Sequence, residues 1–466
     1  KPSKCRSLSI YRGKPISVPF YLTDPNTEER VQLKTLEDDP HKFLGALVTY
    51  RNTPQEHFTF LKEKLCKKLE NLDTTMVRGE FKVAVYSRYI LPSLRYHLTV
   101  HQLDMCAVKY LKKWLGIPKR GCTSLGITSP HLLGIKPVSQ VYLEGHLNAY
   151  INSNLVADSD TKEALESAVK RESVWVNKSS TIVQCKEILD EMREEEQCFI
   201  PTPENTTTFE ATMKVEKPKI MKAAKDKVNQ IFRDKAEHEA ERLPFQGSMI
   251  SLMAQEKEDI SWQSVIYRVP RGVMAWAVRA GTQSPATPDN IARWGVKVDV
   301  KCPMEGCSAT ATLGHILNNC DKCLERFRYR HDSCLNYLLS KLVQNKPKEM
   351  TVLADLPGWR ENGGSVPHYL AVTEQMPDIV IVDKSVSPSM VVLLEITVPF
   401  DTGHGFEEAR KRKVDRYCRL AMDIEQQGFS VWNCPLEVGC RGVINDRNCG
   451  VLATLSKMCN VMISRI

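Results

Sequence analysis

Along most of this chain the apolar positions recur every three or four residues, the period of a helix packed along one face. Phe58, Leu61, Leu65, Leu69 and Leu72 make one such stripe, with Lys62, Lys64, Lys67 and Lys68 on the polar faces. Charge patterning predicts helices over 161–172 and 183–196, and a polar, proline-broken stretch near 201–208 reads as a linker. Residues 214–243 are dense in charge, with Phe232 their only aromatic, and read as a solvent-exposed helix or a partly mobile arm. Order returns near Pro270: a helix over Gly272–Ala280, then a second opened by Thr287 as N-cap and Pro288 at the first helical position. The pattern changes in the last quarter. Ile379 to Val382 and Val391 to Val398 are short apolar runs rich in β-branched residues, bounded by Pro377, by the polar stretch 384–389 and by Pro399. They predict two short central strands joined by a tight connection. Helical period resumes from His404 to Gln427, where Phe406, Ala409, Arg410, Lys413, Tyr417, Leu420 and Ile424 share a stripe.

Composition adds domain number and compartment. At roughly 150 residues per domain the chain predicts about three domains. A net charge of +8 over 466 residues is modest and does not by itself announce a nucleic-acid binder. Local clusters say more. Lys109, Lys112, Lys113, Lys119 and Arg120 surround Tyr110 and Trp114, and basic residues interleaved with aromatics contact phosphates and stack on bases. For Lys62 to Lys68 the simpler reading is the solvated face of a core-packed helix. No apolar run approaches the ~20 residues of a membrane span. No secretory signal is visible, in a chain that begins at Lys1. Twelve of the sixteen cysteines are scattered without a disulfide-framework spacing, which predicts a reducing interior.

The two predicted strands each carry one carboxylate, Asp378 and Glu395, with sixteen residues between them. An unpaired ionised carboxylate is costly in an apolar setting, so both residues imply a compensating cation. Hard oxygen ligands on neighbouring strands suit Mg²⁺, which takes one or two protein carboxylates and leaves its other positions to water and phosphate. Lys413 falls mid-stripe on the following helix. Pointing inward, its ammonium stabilises charge on a reacting phosphate or orients attacking water; pointing outward, it snorkels past Tyr417 to solvent. His331, with Asp332, lies on a preceding helix whose apolar stripe is Leu324, Phe327, Leu335 and Leu338; on that stripe it either faces the site or, more simply, serves as a core histidine.

Upstream, Cys302, Cys307, His315 and Cys320 are separated by four, seven and four residues, a spacing that suits tetrahedral Zn²⁺. Cys320 and Cys323 form a CxxC pair, so a four-cysteine set with Cys323 in place of His315 stays open.

Four stretches carry a family resemblance: Arg328-Tyr-Arg-His-Asp-Ser; Met376-Pro-Asp-Ile-Val-Ile; Leu394-Glu-Ile-Thr-Val-Pro-Phe-Asp with Glu408-Ala-Arg-Lys-Arg-Lys-Val-Asp-Arg-Tyr; and Leu436-Glu-Val-Gly-Cys-Arg-Gly. Together they resemble the restriction-like PD-(D/E)xK endonuclease at the carboxyl end of site-specific non-LTR retrotransposon polyproteins. The resemblance implies that Asp378 and Glu395 hold Mg²⁺ or Mn²⁺ and that Lys413 is the catalytic lysine, because Thr397 stands two positions after Glu395 where the general nuclease pattern has a lysine. It favours the histidine version of the zinc knuckle. Lys1-Pro-Ser-Lys-Cys-Arg-Ser-Leu and His41-Lys-Phe-Leu-Gly-Ala resemble the last palm motifs of the reverse transcriptase, and Phe58 to Gly121 its thumb. The palm aspartates lie before Lys4 in the family order, so polymerisation is not expected of this chain.

The organisation implied is the end of a palm over 1–50, a thumb over 51–150, a helical linker over 151–300, a CCHC knuckle over 301–324 and the endonuclease over 325–466. The expected fold is multidomain α+β: a mostly helical thumb and linker, a small knuckle, and an α/β nuclease domain with a central mixed sheet. Arg271, Arg279 and Arg293 of the linker, with Lys109, Lys112 and Lys113 of the thumb, are the expected nucleic-acid contacts. Target DNA and the element's RNA are the expected partners, no membrane is involved, and the nucleus is the expected location. The implied reaction nicks target DNA to prime reverse transcription; the alternative is an inactive remnant that binds nucleic acid.

Overall fold

The computed structural model describes the chain except residues 1–4, 13, 17, 25–27, 37–40, 44–45, 49–53, 95–100, 118–123, 156–158, 176–179, 196–205, 256–267 and 462–466. Lys4, Lys119, Arg120, the side chain of Phe58 and residues 201–205 of the polar stretch therefore lie outside it. The architecture is mixed α and β, 55% helical, with a four-stranded mixed sheet near the carboxyl end. The chain divides into two compact units, Lys1–Gly116 with Ile135–Lys235, and Ile117–Gly134 with Ala236–Ile466.

The first unit opens with three antiparallel pairs of very short strands: β1 (Ile10–Tyr11) with β2 (Lys14–Pro15), β3 (Tyr21–Thr23) with β4 (Arg30–Gln32), and β5 (His41–Phe43) with β6 (Ala46–Val48). Helices follow: α1 (Pro54–Thr74), α2 (Gly79–Val85), α3 (His101–Leu115), α4 (Val138–Asn154), α5 (Ser159–Trp175), α6 (Thr181–Glu194) and α7 (Thr206–Glu241), which runs to the unit's end at Lys235 and beyond. The α1 stripe behaves as its spacing predicts, with Leu61, Leu65, Leu69 and Leu72 buried and Lys62 and Lys67 exposed. A Cβ on Gly79 would stand 1.9 Å from the Trp114 carbonyl oxygen, so glycine is what lets α2 start against the end of α3.

The charged stretch 214–243 is helical but is neither a wholly solvent-exposed helix nor an arm. Its Ile220, Ala224 and Val228 pack with Leu143, Leu147 and Ile151 of α4 and Ile188, Leu189 and Met192 of α6. The four-residue spacing of these apolar side chains puts them on one face, which α4 and α6 bury, and the surrounding lysines and glutamates masked it in the composition.

In the second unit, α8 (Ser248–Gln255) supplies Met249, Ile250, Leu252 and Met253 to a core shared with Leu132, Phe406 and Val443. Helix α9 spans Arg271–Gly281, and α10, Pro288–Arg293, has the expected cap: Thr287 Oγ1 accepts from the Asn290 N–H at 3.3 Å. After the cysteine-rich segment come α11 (Leu324–Leu342), β7 (Met350–Ala354), β8 (Ile379–Asp383), β9 (Met390–Thr397), α12 (Gly403–Gln426), β10 (Ser430–Glu437) and α13 (Asp446–Met458).

The sheet order is β10-β9-β8-β7, antiparallel at β7/β8 and β8/β9 and parallel at β9/β10. Parallel neighbours need a long crossover, and α12 is that crossover, which lays it on one sheet face. Alternation of strand side chains then sorts the residues. Ile379, Ile381, Val392, Leu394, Ile396 and Leu436 pack with Leu335, Leu338 and Leu342 of α11 and Leu452 and Leu455 of α13. Val380, Val382, Val391 and Leu393 pack on the other face, against Tyr417, Leu420 and Ile424 of α12. Each such side chain contributes roughly 1.5–3 kcal/mol when fully buried, so both faces are held firmly and the register between them is fixed.

Candidate functional site

Register puts the two acids together. Ile379 pairs with Leu394 in the antiparallel β8/β9 ladder, so Asp378 stands opposite Glu395 one step beyond it. Asp378 shares the side-chain face of Val380 and Val382, and Glu395 that of Leu393, which is the face covered by α12. The backbones lock the carboxylates reciprocally: Glu395 Oε1 accepts from the Asp378 N–H at 2.9 Å, and Asp378 Oδ2 accepts from the Ile396 N–H at 2.8 Å.

Lys413 points inward, and its Nζ donates to Glu395 Oε2 at 2.5 Å. One turn further along α12, the buried Tyr417 donates to the Met376 carbonyl oxygen at 3.1 Å, which ties the helix to the approach to β8. Glu395 is 1% exposed, and burial is the largest influence raising its pKa; Asp378 adds to the rise and Lys413 opposes it. Burial likewise pushes the Tyr417 phenol up, helped by the adjacent Glu395.

The residue that sequence reasoning undervalued is His331. It is not a core histidine: Nε2 lies 3.1 Å from Asp378 Oδ2 and Nδ1 3.1 Å from Asp332 Oδ1. The bond to Asp378 is the main reason its pKa rises to about 9. Its signal in the sequence was its place on the α11 stripe, between Phe327 and Leu335 and next to an aspartate. That pattern alone does not distinguish a buried ring from one bonded to an acid.

Cys302, Cys307, His315 and Cys320 converge, with their ligand atoms all within 4.8 Å of one another. A tetrahedron with Zn–S bonds of ~2.3 Å has sulfur–sulfur edges of roughly 3.8 Å. Cys302 Sγ and Cys320 Sγ are 3.8 Å apart, and Cys307 Sγ is 3.4 Å from His315 Nε2. The set could therefore hold a metal ion and is compatible with zinc. His315 belongs to it; Cys323, buried nearby, does not. The three thiols come from irregular backbone, while His315 opens a single helical turn, His315–Asn319.

The basic candidates have local partners. Lys113 Nζ is 2.5 Å from Asp73 Oδ2, the same carboxylate that accepts from Trp114 Nε1 at 3.0 Å, and Lys109 lies over the Tyr110 ring. Lys112 is half-buried. Arg271 is exposed at the start of α9, while Arg279 donates to the Ala275 carbonyl oxygen at 3.2 Å. Arg293 pairs with Asp289 at 3.1 Å and stacks on Phe245.

A second polar centre is saturated and structural. Arg441 and Asp401 are both fully buried at the side chain, with Nε 3.2 Å from Oδ2, and the Arg441 and Val443 N–H groups also donate to that carboxylate. A Cβ on Gly439 would fall 1.9 Å from Asp401 Oδ1, so the pair depends on glycine there. No family model matches the chain, and a comparison with curated proteins finds no match.

Proposed function

We propose that the second unit is a divalent-metal-dependent DNA endonuclease, the nicking activity of a retrotransposon-type polyprotein of the kind the sequence resembles. The observation that carries this is the 2.5 Å contact between Lys413 and Glu395 with Asp378 directly across the ladder. Three groups distant in sequence thus form one acid–acid–cation centre. The donor set fits Mg²⁺ or Mn²⁺. Both acids present hard oxygens, and Asp378 Oδ1 accepts no hydrogen bond among the described residues, which leaves it open to a ligand. A cation bound there supplies Lewis-acid stabilisation of phosphate charge.

The chain's own groups supply the rest. Asp378 and Glu395 hold their orientation through each other's backbones, and Lys413 places a positive charge where charge on a phosphate oxygen develops. The Cys302, Cys307, His315 and Cys320 set binds zinc in this reading and orders a loop-rich segment that positions nucleic acid. Target DNA and the element's RNA are the partners, with Arg271, Arg279, Arg293, Lys109, Lys112 and Lys113 as phosphate contacts, and the nucleus is where they meet.

One observation favours the non-catalytic alternative: both oxygens of Glu395, and Oδ2 of Asp378, already hold hydrogen bonds, as they would in a purely structural network. Nicking of supercoiled plasmid with Mg²⁺ separates the two. Relaxation by the wild type and not by Asp378→Ala supports the endonuclease; equal relaxation by both, or binding without relaxation by either, supports the remnant.

A further inference from the structure

Glu437, the last residue of β10, is fully buried; its carboxylate oxygens make no hydrogen bond of good geometry among the described residues, and the side chains of Asn445 and Asn448 are its polar neighbours beside Arg410. Facing it is Arg410 of α12, whose Nη1 stands 4.0 Å from Glu437 Oε1, too far for a hydrogen bond, and is itself buried without a partner among the described residues. Asn448 donates to the backbone carbonyl of Glu437 and leaves its own Oδ1 unpaired.

The strand register sets this loose pair beside the tight one. Strands β9 and β10 are parallel, with Pro435 opposite Glu395 and Glu437 opposite Thr397. Side chains alternate between faces, so Glu395 and Glu437 share the face under α12, one two-residue step apart, or about 6.6 Å along the strand. Arg410 precedes Lys413 by three residues, which places both on one side of the helix. Two cations therefore face two acids. Lys413 takes Glu395, and Arg410 stays with Glu437. A guanidinium has the reach to cross one such step, and its planar fork binds a carboxylate bidentately.

We propose that Glu437 is a positioning residue for the carboxylate centre: it retains Arg410 at the β10 end of the α12 face and keeps that charge off Glu395 and Asp378. This rests on the endonuclease reading, in which those two acids take a divalent cation. A guanidinium released onto Glu395 occupies the oxygens a cation needs and repels the cation itself. Burial keeps the trap closed, because either charge alone in that position is worse off than the pair.

Mn²⁺ binding, read from the loss of the free-ion paramagnetic resonance signal, tests this in the full chain without reference to cleavage. Glu437→Gln is expected to weaken Mn²⁺ binding about tenfold, as an uncompensated positive charge comes within a strand step of the ligands. Glu437→Gln/Arg410→Gln is expected to restore wild-type affinity, which loss of packing at Glu437 would not allow. Equal affinity in wild type and Glu437→Gln, or a double variant as weak as the single one, overturns the inference and leaves the endonuclease reading standing. Wild-type binding no tighter than that of Asp378→Ala overturns both. If Glu437→Gln fails to fold, the double variant decides alone: wild-type affinity supports the inference, and a loss of about tenfold overturns it.

Discussion

His331 Nε2 lies 3.1 Å from Asp378 Oδ2, across 47 positions of sequence. The imidazole belongs to a helix whose leucines pack on the opposite sheet face from α12, yet its ring reaches the acid at the start of β8. Bonding to Asp378 raises its pKa from 6.5 to about 9, so the folded protein binds this proton more tightly than the unfolded chain does. The stabilisation is fully present below the unfolded value of 6.5 and is lost as pH rises through about 9. Melting temperatures of the metal-free protein are expected to fall more steeply across that window in the wild type than in His331→Gln. Parallel curves for the two count against the bond.

Lys413 is the one side chain that both compensates Glu395 and faces a bound phosphate in the proposed reaction. Lys413→Met is expected to lower plasmid nicking by about 100- to 1000-fold, the usual cost of removing one preorganised donor. Duplex affinity in a filter-binding assay should be unchanged. With the opposing cation gone, the pKa of Glu395 should rise further, so residual activity should move to higher pH. A proportional loss of DNA binding would instead make Lys413 a phosphate anchor.

Arg441 and Asp401 give a stability prediction of opposite character. Arg441→Met leaves a buried carboxylate without its cation and should cost about 3–5 kcal/mol in urea unfolding. Gly439→Ala should destabilise through the same pair, because the new methyl group collides with Asp401 Oδ1. A change below about 0.5 kcal/mol in either variant, typical of neutral surface positions, would contradict the packing described.

Chelation tests the cysteine set. A chelator of high zinc affinity should release one equivalent of zinc per chain and expose residues 301–323 to protease, since a structural zinc site contributes on the order of 10 kcal/mol to local folding. Cys307→Ser should reproduce this without chelator. Cys323→Ser should leave the zinc content unchanged, because its thiol stands outside the converging four.

Local pattern carried a good part of this protein. The runs Ile379 to Val382 and Val391 to Val398 became β8 and β9, the stripe from Phe406 to Ile424 became α12, and the cysteine and histidine spacing marked the segment whose side chains converge while leaving Cys323 open as an alternative to His315, because each depends on a period or an interval of a few residues. The convergence of Asp378, Glu395 and Lys413 was half legible: the stripe placed Lys413 on an inward face, but which acid it meets depends on the β8/β9 register and on the crossover to β10. Three relationships were decided only by tertiary structure: His331 against Asp378, Arg410 facing Glu437, and Ile220, Ala224 and Val228 buried beneath a charged exterior. In each, the partner lies on another element, and a side chain's energy there depends on burial and on nearby charge, which periodicity along one element does not encode.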